Sequence, residues 1–206
     1  MNLGRLSQLL QLDGLVWRAP LAFAAVLAVM QWLAQAMPGA FPYDRAAIVA
    51  GGQYWRLLTG HFVHHDLTHL GWNLAGLALV AWLFAREFSL RGWAVILGAS
   101  TVAVDLGFLL CEPQLAWYVG FSGVLHGLMA AGLCAWLRRA PDAITALVAV
   151  LFACKLGWEH FVGPLPFTAS TLELPVIHAA HTYGAIGGAA AALWLLWRRR
   201  AAMTPL

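Results

Sequence analysis

Ser122 and His181 are the residues of this chain with an evident chemistry. Ser122 sits in Gly120-Phe121-Ser122-Gly123, where an apolar stretch begins, and His181 lies at the matching depth of another stretch. A hydroxyl becomes a nucleophile when a neutral imidazole within hydrogen-bond reach takes its proton. No acidic residue adjoins His181 in the sequence, so the expectation is a Ser-His dyad, with His126 stacking on or bonding near His181 to hold its ring. A tetrahedral oxyanion needs donors, each worth about 3–4 kcal/mol when well placed. The backbone N–H of Ser122, exposed at a helix N-terminus, and the side chains of His69 and Asn73 are the available ones. His61, His64, His65 and Asp66 are expected to line a polar mouth that admits water.

The elements that position these groups are read from composition. The chain has 206 residues, 62% hydrophobic and 10% charged, which points to an all-α membrane protein rather than a soluble domain. A helix needs roughly 20 apolar residues to span the hydrocarbon. Six stretches qualify: 19–37, 67–84, 92–110, 122–137, 144–162 and 176–197. The expected organisation is an N-terminal segment over 1–18, a six-helix membrane domain over 19–197 and a basic tail over 198–206. The first segment does not read as a signal peptide, because Asp13 and Arg18 interrupt its apolar run. Leu3, Leu6, Leu10 and Leu12 suit an interfacial helix instead.

Orientation follows from the basic residues. Arg5, Arg18, Arg86, Arg91, Arg138, Arg139 and Arg198 to Arg200 fall on one side, against Arg45 and Arg56 on the other. The arginine-rich side is expected to be cytoplasmic, with both termini there and the loops Glu112–Val119 and Gly163–Pro175 facing outward. The net charge of +3 is mostly this orientation signal and gives no reason to expect a nucleic-acid partner. Membrane lipids are the expected surroundings.

With the arginines as a floor and about 1.5 Å of rise per residue, Ser122, His181 and His69 each stand roughly 24–25 Å up. Three helices thus bring a nucleophile, a base and hydrogen-bond donors to one plane, with Asn73 one turn below His69. Gly123 with Gly127, and Gly184 with Gly188, form two GxxxG pairs that let the Ser122 and His181 helices approach closely. Lys155 and Glu159, four residues apart, are expected to form a structural ion pair, with Asp105 as the other partner open to Lys155. The sharper alternative is that Lys155 and Glu159 gate or grip substrate. His178 reads as structural, as do Trp55 and Arg56. Cys111, Cys134 and Cys154 read as interior thiols without a disulfide or metal. A metal or haem protein is the competing reading, because seven of the eight histidines lie in the outer half or its loops. No metal or cofactor is the preferred expectation.

Trp55-Arg56, then His64, His69 and Asn73, then Gly120-Phe121-Ser122-Gly123, then Ala180-His181-Thr182-Tyr183-Gly184 together resemble the motifs of the rhomboid family of intramembrane serine proteases. The resemblance implies a six-helix bundle, Ser122 as nucleophile, His181 as base and His69 with Asn73 as oxyanion donors. A narrower resemblance is to the bacterial rhombosortases, carried by the short length, by Gly120-Phe121-Ser122-Gly123-Val124-Leu125-His126-Gly127 and by Lys155 through Glu159. It implies a site opening to the periplasm from the inner membrane. It also implies single-span substrates ending in a glycine-containing motif, a hydrophobic helix and a basic cluster (GlyGly-CTERM proteins). The broader resemblance leaves open other single-span substrates, or a non-catalytic protein that binds membrane clients.

Overall fold

The computed structural model describes residues 14–163, 165 and 177–203. Within these, the chain runs α1 (Gly14–Ala36), β1 (Tyr43–Asp44), α2 (Arg45–Val49), α3 (Trp55–Thr59), α4 (Leu67–Phe84), α5 (Leu90–Cys111), β2 (Trp117–Tyr118), α6 (Ser122–Arg139), α7 (Ala143–Phe161) and α8 (His178–Met203). Six long helices coincide with the six apolar stretches. Four of them, Val16–Ala36 within α1, α4, α5 and α7, are long and apolar enough to cross a membrane on length and composition. The other two, α6 and α8, are diluted by glycine, histidine and arginine. For α6 the need for apolar side chains is smaller because neighbouring helices cover it along most of its length; α8 packs one face on α6 and leaves Ile186, Leu193, Trp194 and Trp197 exposed. The interfacial helix expected over 1–18 lies outside the described residues except for Gly14–Arg18, which belong to α1. The loop expected over Gly163–Pro175 likewise lies outside them, apart from residues 163 and 165. At the other end α8 continues through Arg198–Arg200 to Met203, so the basic tail is largely helix.

Local sequence sets where the helices begin. Asp66 caps α4 by accepting from the His69 N–H at 2.7 Å, Ser89 caps α5 through Gly92 N–H, and Asp142 caps α7 through Thr145 N–H. Each such cap is worth about 1 kcal/mol, and the first fixes the turn that carries His69.

The packing centre is the α6–α8 seam. A Cβ on Gly184 or Gly188 would run into the backbone carbonyls of Gly123 and Gly127, and a Cβ on Gly123 would lie 2.9 Å from the Ala180 carbonyl. The two GxxxG pairs therefore do interlock, and backbone touches backbone. Around this seam Leu77, Phe84, Ile96, Phe121, Val124, Leu128 and Ala192 form the main core. Large apolar side chains such as Trp32, Trp72, Leu110, Phe161 and Trp197 remain on the outside, as expected of a surface that faces hydrocarbon rather than water.

The segment between α1 and α4 folds over one end of the bundle. β1 pairs antiparallel with β2, matching Tyr43 with Tyr118 and Asp44 with Trp117. Arg56 ties this segment together by donating to the carbonyls of Gly39 at 2.8 Å and Pro42 at 2.9 Å and to the Gln53 side chain. Trp55 donates to the Ala40 carbonyl. The structural reading of both residues agrees with this placement.

Candidate active site

Ser122 begins α6, His181 lies in the first turn of α8, and His69 lies in the first turn of α4. The level deduced by counting residues is thus one end of the bundle, opposite the arginines. Ser122 Oγ is 3.0 Å from His181 Nε2. His181 is 5% exposed, and its other nitrogen, Nδ1, is 2.9 Å from Glu159 Oε2. A proton on Nδ1 satisfies the carboxylate and leaves Nε2 free to accept the serine proton.

Beside the expected Ser122–His181 pair stands a carboxylate that the sequence reading did not place against His181. Glu159 stands 22 residues before His181, on α7, so sequence adjacency could not reveal it. Glu159 is 4% exposed and also pairs with Lys155 at 2.6 Å. The expected Lys155–Glu159 ion pair is present. Asp105 is not the partner of Lys155: it bonds His61 Nε2 at 3.2 Å.

Lys155 Nζ further contacts His126 Nε2, and His126 Nδ1 donates to the Ser122 carbonyl at 2.7 Å. The His126 ring stacks on His181 with centroids 3.9 Å apart. The polar groups thus close a ring: Ser122, His181, Glu159, Lys155, His126 and back to Ser122. In a medium where unpaired charge is costly, each member satisfies the next. The donor atoms of His126, Glu159 and His181 also lie within 4.8 Å of one another, a spacing that would suit a metal ion. The ammonium of Lys155 occupies this space, pairing with Glu159 and contacting His126 Nε2; it approaches His181 Nδ1 at 3.4 Å, but the proton on that nitrogen goes to Glu159.

The matching family profile is the rhomboid domain, over residues 51–198. The chain belongs to the rhomboid family. The rhomboid-type protein YdcA of Bacillus subtilis (strain 168) is 27% identical over 146 residues, covering 68% of this chain and 66% of YdcA. Rhomboid protease GlpG of Yersinia pestis (strain Pestoides F) is 28% identical over 170 residues, covering 82% of this chain and 54% of GlpG. The same figures hold for GlpG of Yersinia pseudotuberculosis serotype I (strain IP32953). The chain spans about two thirds of the length of YdcA and about half that of GlpG.

Within this rhomboid domain, the loop before α6 is shaped by Gly120. Its φ of +122 is a conformation that only glycine adopts readily. A Cβ there would sit 2.7 Å from the His69 ring, so the same glycine lets His69 lie against the loop that leads into Ser122. Tyr118, which sequence reasoning missed, anchors this loop by donating to the Gly120 carbonyl at 2.6 Å. Burial pushes its phenol well above the usual range, so it stays a donor at physiological pH. The β1–β2 ladder that places it has no signal in a run of two residues.

The remaining expected site residues are placed as follows. Asn73 is buried, and its amide donates to the His69 carbonyl at 3.0 Å. His64 meets the His69 ring edge-on at 5.1 Å, and its backbone is clasped in both directions by the Gln31 side chain. His178 is edge-on to His181 at 6.0 Å, consistent with a supporting place. The polar mouth is smaller than expected. His61 and His64 are buried, because His61 turns inward to Asp105 and His64 is held under α1, and only His65 is exposed. Cys111 and Cys154 lie on the outer surface instead of the interior. A thiol is a small hydrophobe and suits an apolar exterior as well as a core.

Proposed function

We propose that this chain is an intramembrane serine endopeptidase in which Ser122 attacks, His181 serves as base and Glu159 orients and balances the imidazole. The single observation that carries the reading is the hydrogen-bonded line Ser122 Oγ, His181 Nε2, His181 Nδ1, Glu159 Oε2, with links of 3.0 Å and 2.9 Å. As Oγ adds to the scissile carbonyl, its proton passes to Nε2, and the imidazolium is stabilised by the carboxylate. Collapse of the tetrahedral intermediate returns that proton to the leaving amine. Water then repeats the sequence on the acyl-enzyme. The Ser122 backbone N–H, the His69 ring and the Asn73 amide serve the oxyanion, with Asn73 leaving its present carbonyl partner to do so.

The protein crosses the bacterial inner membrane six times with both termini cytoplasmic, and its site opens to the periplasm. Its substrates are single-span proteins, of the GlyGly-CTERM type, that carry a glycine-containing motif, a hydrophobic helix and a basic cluster at the C-terminus. What supports the finer reading is the compact chain and the Gly120-Phe121-Ser122-Gly123-Val124-Leu125-His126-Gly127 motif; a glycine-containing motif also fits a site walled by close helices. The test is cleavage of such a tail on co-expression, with mass spectrometry of the new C-terminus. Ser122→Ala is expected to abolish cleavage and labelling by a fluorophosphonate while leaving the protein folded. Cleavage that survives Ser122→Ala, or that stops with a chelator, would overturn the reading. Cleavage of other single-span proteins but not this tail would remove only the substrate assignment.

A further inference from the structure

The opposite end of the bundle holds a second concave feature that the proteolytic reading does not use. Between the ends of α4, α6 and α8 lies a cavity of about 740 Å³ walled by Arg86, Glu87, Arg138, Arg139, Arg199 and Arg200. Five guanidinium groups thus surround one carboxylate. That carboxylate is already committed: Glu87 Oε1 accepts from Arg139 at 2.7 Å and from the Trp136 indole at 2.9 Å. Arg199 donates to the Glu87 carbonyl and lies over the Phe88 ring at 5.3 Å. These contacts hold the wall in place, but they leave a fixed excess of positive charge facing one space.

Orientation in a membrane explains why arginines occur at this end, but not why those from three separate helix ends converge on one cleft. The cleft sits where apolar helices give way to charge, and Ala135 and Leu196 supply an apolar side to it. Guanidinium groups match phosphate oxygens with paired donors. Basic hollows between membrane helices at this boundary are suited to phospholipid headgroups.

We propose that this cleft binds the phosphodiester headgroup of an anionic phospholipid, with the arginines on the phosphate and the acyl chains running up the outer face of α4 and α8. The ligand chemistry is shared with free phosphate; the apolar side of the cleft and its position at the helix ends favour the lipid.

The experiment uses the full chain, purified in a neutral detergent and stripped of lipid. Phosphatidylglycerol, phosphatidylcholine and inorganic phosphate are added separately, and retention is read by native mass spectrometry beside the thermal unfolding midpoint. Phosphatidylglycerol is expected to be retained and to raise the midpoint, with no effect of the other two. Arg138→Gln with Arg199→Gln is expected to weaken retention about 30-fold. Arg91→Gln with Arg198→Gln, which removes the same charge outside the cleft, is expected to retain the lipid as the wild type does. Equal loss in both pairs, or an equal effect of inorganic phosphate, would overturn the proposal. Arg138→Gln alone repeats the comparison against Arg91→Gln alone should the double variant fail to fold.

Discussion

Glu159 is the residue whose role separates a three-part relay from a bare dyad. Its carboxylate touches the His181 Nδ1 side and the Lys155 ammonium at once. Glu159→Gln keeps the shape but offers His181 an amide whose N–H face can favour the wrong tautomer. We expect kcat to fall by about 100-fold or more with little change in KM. Measurement of both constants on one tail peptide checks this, and an unchanged kcat would return the site to a dyad. Lys155→Met separates two roles for the lysine. If it holds Glu159 and His126 in place, kcat falls; if it grips the substrate, KM rises and kcat stays. The ring of contacts it makes with His126 and Glu159 leads us to expect the first, with a loss of about tenfold. The ion pair itself was legible in the sequence, because i,i+4 spacing places both side chains on one helical face. The link from that pair to His181 was not, since it crosses from α7 to α8 through space.

Elements reach the site in two ways, one legible in the sequence and one not. The α6–α8 seam was legible: small residues four apart next to Ser122 and His181 imply close helices, and Gly123, Gly127, Gly184 and Gly188 meet backbone to backbone. Gly184→Val therefore pushes the two helices apart. It is expected to cost about 1–3 kcal/mol or more and to lose fluorophosphonate labelling of Ser122. Gly98→Ala is the contrasting case, since a Cβ there meets nothing within 4 Å; it is expected to leave labelling intact and to stabilise α5 by about 0.4–1 kcal/mol. The covering segment between α1 and α4 was not legible, because its stability rests on single contacts such as Gln31 to the His64 backbone and Arg56 to the Gly39 carbonyl. Burial, and then the neighbouring His69, lower the His64 pKa from 6.5 to about 3. The unfolded chain thus takes up a proton below about pH 6.5 that the folded one refuses, so stability falls as pH drops toward 3. The expected share is on the order of 1–2 kcal/mol between pH 6.5 and 5. Thermal unfolding in detergent at those two pH values checks it, and His64→Phe is expected to flatten the difference.

The whole molecule is polarised along its helices: the ring of polar groups around Ser122 and His181 at one end, and Arg86, Arg138, Arg139 and Arg198 to Arg200 at the other. Counting residues from arginine to serine or histidine gave a common level because Arg86, Arg138 and Arg198 stand at nearly the same residue separation from His69, Ser122 and His181. Glycine and histidine made α6 and α8 poor spans by hydropathy, yet these two carry Ser122 and His181. Close packing requires small residues that a lone lipid-facing helix would not need, so the least apolar helices pack on each other, α6 enclosed by its neighbours and α8 leaving one apolar face outside. An even number of crossings follows if all six helices span, and it has a consequence for sidedness. A fluorescent protein that matures only in the cytoplasm, fused at either terminus, is expected to glow. Alkaline phosphatase, active only in the periplasm, is expected to be inactive at either terminus and active when inserted at Gly52, in the turn where φ is +65 and a Cβ meets nothing. Opposite results for the two termini would mean an odd number of crossings, with one of the six helices failing to span. The reading of six crossings would then fall, and with it the placement of both termini in the cytoplasm.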